Sequence, residues 1–294
     1  MPVLYTTCEY KYASGCSIKC DVYPAQRGAP VAVCIHGGAL MMGSRRGGFP
    51  QLDMDMLRKE GYWLVSIDYR LAPETKLEYI IEDVRDALDW VREEGAETFG
   101  YDATKMIVMG ISAGGYLALM TGTFERKPNV IVSVYGYCDI LEEWYCKPSP
   151  FYCRQPLVDR EDAMKNGIHD YELSEGYVKN RGSLYLYTRQ TGTWTSLVSG
   201  YDIAADRAKI EKFCSVYNIA DHYPPTMLLH GNNDTDVPYE QSVIMYNALK
   251  ARGLTAELVT YEGGGHAFDF NIEDPKSAEL IGRAMRFIKE QVRK

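Results

Sequence analysis

Gly110-Ile111-Ser112-Ala113-Gly114 sets a serine between two glycines, and the runs on either side give that spacing a structural setting. Lys105-Met106-Ile107-Val108-Met109 is a short apolar run of the kind that fills a parallel sheet, and Tyr116-Leu117-Ala118-Leu119-Met120 has helix-forming composition. A serine on a tight strand-to-helix turn has its hydroxyl thrust outward, and glycines on both flanks remove side chains that would collide with the backbone. A hydroxyl placed in this way is a candidate nucleophile. A glycine-rich loop with a solvent-facing serine is the plainer alternative, and the strand before and helix after count against it.

A serine nucleophile needs a base, a partner for that base, and donors for the charge that develops on the attacked carbonyl. Val31-Ala32-Val33-Cys34-Ile35 is the first continuous apolar run, and it delivers His36-Gly37-Gly38-Ala39 at its C-terminal end, where open α/β sheets bind ligands. Glycines there let backbone N–H groups turn inward, so Gly37 and Gly38 are expected as oxyanion donors together with Ala113, the residue after the serine. His36 is expected to brace that loop. A second histidine, His266, ends the flexible run Glu262-Gly263-Gly264-Gly265 after the strand-like Leu258-Val259-Thr260-Tyr261, and it is the candidate base. Thr226-Met227-Leu228-Leu229-His230 is another buried strand, followed by a turn that carries both Asp234 and Asp236. Either carboxylate could serve the histidine. Asp236, just before Val237-Pro238, also suits the start of the helix that runs to Arg252.

These motifs resemble a known family. His36-Gly37-Gly38, then Asp68-Tyr69-Arg70-Leu71-Ala72-Pro73-Glu74, then Gly110 to Gly114 stand in the order and spacing of the hormone-sensitive-lipase-like branch of the α/β-hydrolase esterases. The resemblance runs from about residue 15 to the end, apart from a divergent middle. It implies an α/β-hydrolase fold, a mostly parallel central sheet flanked by helices with a cap insertion. It also implies a triad in the chain order Ser112, Asp234, His266, with Asp234 chosen as the first aspartate after the His-Gly turn. The implied activity is carboxylic ester hydrolysis through an acyl-enzyme, with an oxyanion hole of Gly37, Gly38 and Ala113 and neither cofactor nor metal. Asp68 to Glu74 has no evident chemistry; Arg70 and Glu74 are expected to pin the oxyanion loop. The family often has a third glycine where Ala39 stands and an acid where Ile111 stands, and both departures bear on substrate range.

The remaining elements are those that must hold these residues. Leu77 to Glu94 carries Ile80, Val84, Leu88 and Val91 at helical spacing with Asp83, Arg85, Asp86 and Asp89 between them, which predicts an amphipathic helix on the sheet. Helices are also expected from Gln51 to Glu60 and after Asp274-Pro275, with half-exposed antiparallel strands at Leu4-Tyr5-Thr6 and Ser17 to Tyr23. Residues 138–223 break the pattern. Aromatic rings crowd there, Trp144, Tyr145, Tyr152, Tyr177, Tyr185 and Trp194 among them, and charge is interspersed, as in Lys179-Asn180-Arg181. That stretch is the expected cap in a single domain spanning 1–294.

Composition closes off other classes. A net charge of -8, with no lysine or arginine cluster, argues against nucleic acid as the main partner. No stretch approaches the length of a membrane span, and the N-terminus lacks a basic start and apolar core, so the expectation is a cytoplasmic enzyme, free or self-associated, on a small ester. The eight cysteines show no zinc-ligand spacing and are expected to be reduced, with a Cys146–Cys153 bridge as the alternative. An arylformamidase or small peptidase could use the same residues, and a receptor that has lost catalysis is the third reading, against which the presence of His266 counts.

Overall fold

The computed structural model describes residues 4–175 and 180–293. Tyr177 and Lys179, read above as part of the cap, lie outside those residues. Eight strands form one sheet in the order β1-β2-β4-β3-β5-β6-β7-β8. They are β1 (Thr6–Ala13), β2 (Cys16–Tyr23), β3 (Pro30–Ile35), β4 (Trp63–Ile67), β5 (Asp102–Ile111), β6 (Val130–Val134), β7 (Thr226–Gly231) and β8 (Ala256–Tyr261). The pairs from β4–β3 to β7–β8 are parallel, and β1 and β2 join antiparallel at one edge.

Why the central strands are so apolar is visible in where their side chains go. Val31, Val33 and Ile35 point to one face, against Ile80, Val84 and Leu88 of the Leu77–Trp90 helix and Leu117 of the Ala113–Thr121 helix. Ala32 and Cys34 point to the other, where the Gln51–Lys59 and Pro275–Val292 helices bring Met54, Leu57, Ile281, Met285 and Ile288. A strand covered on both sides has no solvent face to keep polar. Each fully buried aliphatic side chain in these layers contributes roughly 1.5–3 kcal/mol. The last helix starts as its sequence predicts, with the Asp274 carboxylate accepting the N–H groups of Lys276 and Ser277 and Pro275 in the first turn.

The edge strands differ from expectation. β1 begins at Thr6 and runs on to Ala13 with a bulge between Glu9 and Lys11, while Leu4 and Tyr5 are exposed ahead of it. β2 is largely buried because it lies between β1 and β4, and its Asp21 is covered by Arg45 and Arg46. The Leu77 to Glu94 helix ends at Trp90 and continues through a π-helical turn, Val91–Gly95, that keeps Val91 in the core.

Between β6 and β7 the chain forms short helices, Arg160–Gly167, Arg181–Thr191 and Trp194–Ser199 among them, and no strand among the described residues. Much of its aromatic content is packing: Tyr145 stacks between Trp144 and Trp194 at centroid distances of 3.6 and 3.8 Å. All eight cysteines are free, Cys146 and Cys153 included. Among the described residues no helix is long and apolar enough to cross a membrane.

Candidate active site

Ser112 follows the last residue of β5 and precedes the first of the Ala113–Thr121 helix, at φ 52° and ψ -121°. That backbone conformation is strained for any residue with a side chain, and the neighbours leave no alternative. A Cβ on Gly110 would lie 2.0 Å from the Gly114 carbonyl oxygen, and one on Gly114 would lie 2.1 Å from that of Ile35. The two glycines therefore let the helix start press against β5 and β3, and Ser112 takes the forced corner between them. Its own N–H is held by the Val134 carbonyl at 2.9 Å.

His266 comes to this serine from the loop after β8. Its Nε2 is 3.0 Å from Ser112 Oγ, and its Nδ1 is 2.7 Å from Asp234 Oδ2. A carboxylate can only accept, so the ring proton sits on Nδ1, and the bare Nε2 faces the hydroxyl. Asp234 is fixed in turn: its Oδ1 accepts the N–H groups of Asp236 and Val237 at 2.8 and 2.9 Å, and its Oδ2 lies 3.2 Å from His230 Nε2. Burial pushes the Asp234 carboxyl up, but the hydrogen bonds and charges of His230 and His266 outweigh it and hold the group well below the usual carboxylate range. Burial likewise pushes His266 down, and here the bond to Asp234 and the charges of Asp236, Asp234 and Asp269 win, raising it above the ordinary imidazole value.

The loop after β3 corrects one expectation. The Gly37 N–H is spent on the Gly48 carbonyl at 3.0 Å, so it is not free to meet an oxyanion. The N–H groups of Gly38 and Ala113 find no acceptor among the described residues, and those two remain. Positive φ at Gly38, Ala39 and Leu40 (113°, 54° and 61°) turns the loop over the serine. His36 braces it as expected: fully buried, its ring stacks on Tyr69 at 4.2 Å and its Nδ1 lies 2.7 Å from the Gly37 carbonyl oxygen. Burial pushes its pKa down to about 4, which keeps it neutral.

The Asp68 to Glu74 segment is a brace by other residues than those expected. Asp68 accepts the Arg45 N–H at 2.7 Å and pairs with its guanidinium, and Tyr69 donates to the His36 carbonyl at 3.0 Å. These hold the loop after β3. Arg70 and Glu74 reach elsewhere: Arg70 binds Asp83 and Glu172, and Glu74 binds Arg181, so both tie the 138–223 segment to the sheet.

Asp236 also departs from its expected role, since the helix after it starts only at Glu240. Its Oδ1 takes hydrogen bonds from the Tyr152 and Tyr185 hydroxyls and from Arg189 Nη1, at 2.8, 2.5 and 2.8 Å. Its Oδ2 is 3.6 Å from His266 Nε2. With Tyr185, Asp236 lines a cavity of about 270 Å³ whose floor is Ser112 and His266 and whose walls include Met42, Ile111, Tyr135 and Phe270. The sequence offers no reason to single out Arg189 or Tyr135, and the one signal for His230 is its place at a strand end four residues before Asp234.

Comparison with known proteins bears on this arrangement. Residues 20–148 match the BD-FAE family and residues 172–294 the prolyl oligopeptidase family. The chain is similar to a non-reducing polyketide synthase of Preussia isomera, at 27% identity over 98% of this chain and 13% of that protein. Another from Emericella nidulans is 29% identical over 96% of this chain and 14% of its own length, so the chain spans a small part of either relative. Among solved structures, a protein of unknown function from Staphylococcus aureus superposes with a TM-score of 0.80 at 23% identity, covering 98% of this chain and 99% of that one. An alpha/beta hydrolase superfamily protein from Enterococcus faecalis gives 0.76 at 22%, covering 98% and 99%. Thermogutta terrifontis esterase 2, phosphoramylated by tabun, gives 0.68 at 20%, covering 99% and 95%.

Proposed function

We propose that this chain, which has the α/β-hydrolase fold, is a serine hydrolase of carboxylic esters. The observation that carries the reading is the unbroken line of hydrogen bonds from Ser112 through His266 to Asp234, opening into a cavity beside two unspent N–H groups. Ser112 Oγ attacks the ester carbonyl carbon as its proton passes to His266 Nε2, and Asp234 holds the ring and stabilises the cation. The oxyanion is received by the N–H groups of Gly38 and Ala113, each worth roughly 3 kcal/mol of barrier. The bond from carbon to the leaving oxygen then breaks while His266 returns the proton to that oxygen, and Ser112 is left acylated. Water gives a proton to the same nitrogen and attacks the acyl carbon. The bond to Oγ breaks, Oγ recovers the proton, and the carboxylic acid departs.

Residues 138–223 act as the cap, a role supported by the one side chain that their described residues send to the cavity, Tyr185 from the Arg181–Thr191 helix. The aromatic and short aliphatic walls favour small esters. Amide hydrolysis on the same residues is the second reading, favoured by the match of residues 172–294 to the prolyl oligopeptidase family. A fluorophosphonate probe should label Ser112 and abolish turnover; labelling elsewhere refutes the nucleophile. Purified protein on a panel of phenyl esters and formyl-anilides separates the two readings, since comparable rates on both would favour an arylformamidase or peptidase. Tight binding of a small ester with no turnover would mean a receptor.

A further inference from the structure

Asp236 is a carboxylate in the cavity with one oxygen saturated and the other bare. Oδ1 accepts from Tyr152, Tyr185 and Arg189, whereas Oδ2 takes no hydrogen bond among the described residues and stands 3.6 Å from His266 Nε2. At that distance it is too far to bond the imidazole and near enough to face whatever the imidazole serves. Nε2 delivers its proton to the leaving oxygen, so Oδ2 lies on the leaving-group side of the reacting carbon.

We propose that Asp236 Oδ2 is the acceptor for a hydroxyl on the carbon adjacent to the one that bears the ester oxygen, which makes monoesters of vicinal diols the preferred substrates. The inference rests on the ester-hydrolase reading above. Two oxygens on neighbouring carbons stand about a hydrogen-bond length apart when gauche. A leaving oxygen in contact with Nε2 therefore places its neighbour within reach of Oδ2. The donor is a neutral hydroxyl, not an ammonium. Arg189, with its side chain 2% exposed, already matches the Asp236 charge, and a second cation would oppose the imidazolium formed during attack. The rest of the cavity wall, Met42, Ile111, Tyr135 and Phe270, offers flat apolar contact, so an aromatic diol such as catechol fits the class.

Hydrolysis of 2-hydroxyphenyl acetate is to be compared with that of phenyl acetate and 2-methoxyphenyl acetate. A hydrogen bond to a charged acceptor predicts a kcat/KM advantage for the hydroxy ester of about 10-fold to 100-fold in the unaltered enzyme. In Asp236→Asn the amide oxygen can keep the bonds from Tyr152, Tyr185 and Arg189 and the amide nitrogen replaces Oδ2, turning acceptor into donor. The advantage should fall to near one. An advantage absent from the unaltered enzyme, or undiminished in the variant, overturns the proposal. Should Asp236→Asn not fold, protection of Ser112 from a fluorophosphonate carries the same test: catechol must protect at about tenfold lower concentration than 2-methoxyphenol, and equal protection overturns it. The two readings fail differently. Labelled Ser112 with all three esters turned over alike defeats the diol subsite alone, whereas unlabelled Ser112 with no turnover defeats the hydrolase reading and the subsite with it.

Discussion

Three carboxylates bear on His266: Asp234 on Nδ1, Asp236 across from Nε2, and Asp269 behind Tyr135, whose ring packs on the imidazole at 4.7 Å. Together they outweigh burial and raise its pKa. Catalysis needs the neutral ring, so kcat/KM should rise with pH through a midpoint above about 6.5, the unperturbed histidine value. Removing the negative charge in Asp236→Asn withdraws part of that support, and the midpoint should move to lower pH; a midpoint that stays put or climbs would contradict this account. Asp234→Asn should cost far more activity, on the order of 10⁴ in kcat, because it is Asp234 that fixes the ring proton on Nδ1. Equal losses in the two variants would show that the acid has been misassigned. Ser112 and His266 were legible as residues because glycine punctuation marks the turns they occupy. Asp234 and Asp236 could not be told apart by spacing, since they share one turn; what separates them is that backbone N–H groups of that turn close on Asp234 and point its other oxygen at the histidine.

At the scale of elements, the apolar runs forecast the positions of the parallel strands because burial on two faces leaves no other pattern. The 138–223 segment was illegible for the opposite reason. Its anchors are ion pairs between residues distant in sequence, as in Arg181 with Glu74, Glu172 with Arg70 and Arg189 with Asp236, and no period in the chain announces such pairings. Arg181 and Glu74 are 1% and 3% exposed, and Arg181 also donates to the Ala72 carbonyl at 2.9 Å. Glu74→Gln would leave the Arg181 charge buried and uncompensated, so urea denaturation should show a loss of about 3–5 kcal/mol. A loss under 1 kcal/mol would mean the pair is looser than its geometry.

A second pair of elements is joined by acids. Asp53, on the Gln51–Lys59 helix, is fully buried beside Asp269, which follows the His266 loop and accepts the Tyr135 hydroxyl at 2.5 Å. Burial and mutual repulsion push Asp53 well above the usual range, and burial pushes Asp269 up to about 6. Both carboxyls thus bind protons more tightly folded than unfolded. The stability they allow is complete below about pH 4, where the unfolded chain also holds those protons, and is lost as pH rises through 6 and beyond. Asp53→Asn keeps a neutral group there at every pH. Its melting temperature should decline less than that of the unaltered protein between pH 5 and 8. Parallel declines would show that the pair does not carry the pH dependence.

For the whole molecule, the parallel sheet brings β3, β5 and β7 to end at one edge, and the loops leaving them deliver Gly38, Ser112 and Asp234 to a common point that no one loop could build. Among the described residues of the 138–223 segment, Tyr185 reaches the cavity that holds Ser112. It is held by its hydroxyl to Asp236, while Tyr145 and Trp194 are consumed in the interior and offer no apolar sheet to an oil interface. A lid that opens onto lipid needs a broad aliphatic face, whereas this segment meets the cavity with a tyrosine tied by a charge-assisted bond. With about 270 Å³ bounded by Met42, Ile111, Tyr135 and Phe270, the space suits a short acyl group and one ring. Catalytic efficiency on 4-nitrophenyl esters should therefore be highest at acetyl to butyryl and fall steeply by octanoyl, with no jump as substrate passes into emulsion. A maximum at palmitoyl, or activation at the interface, would require Tyr185 to leave Asp236 and the segment to open, and Tyr185→Phe would then raise the long-chain rate by freeing it.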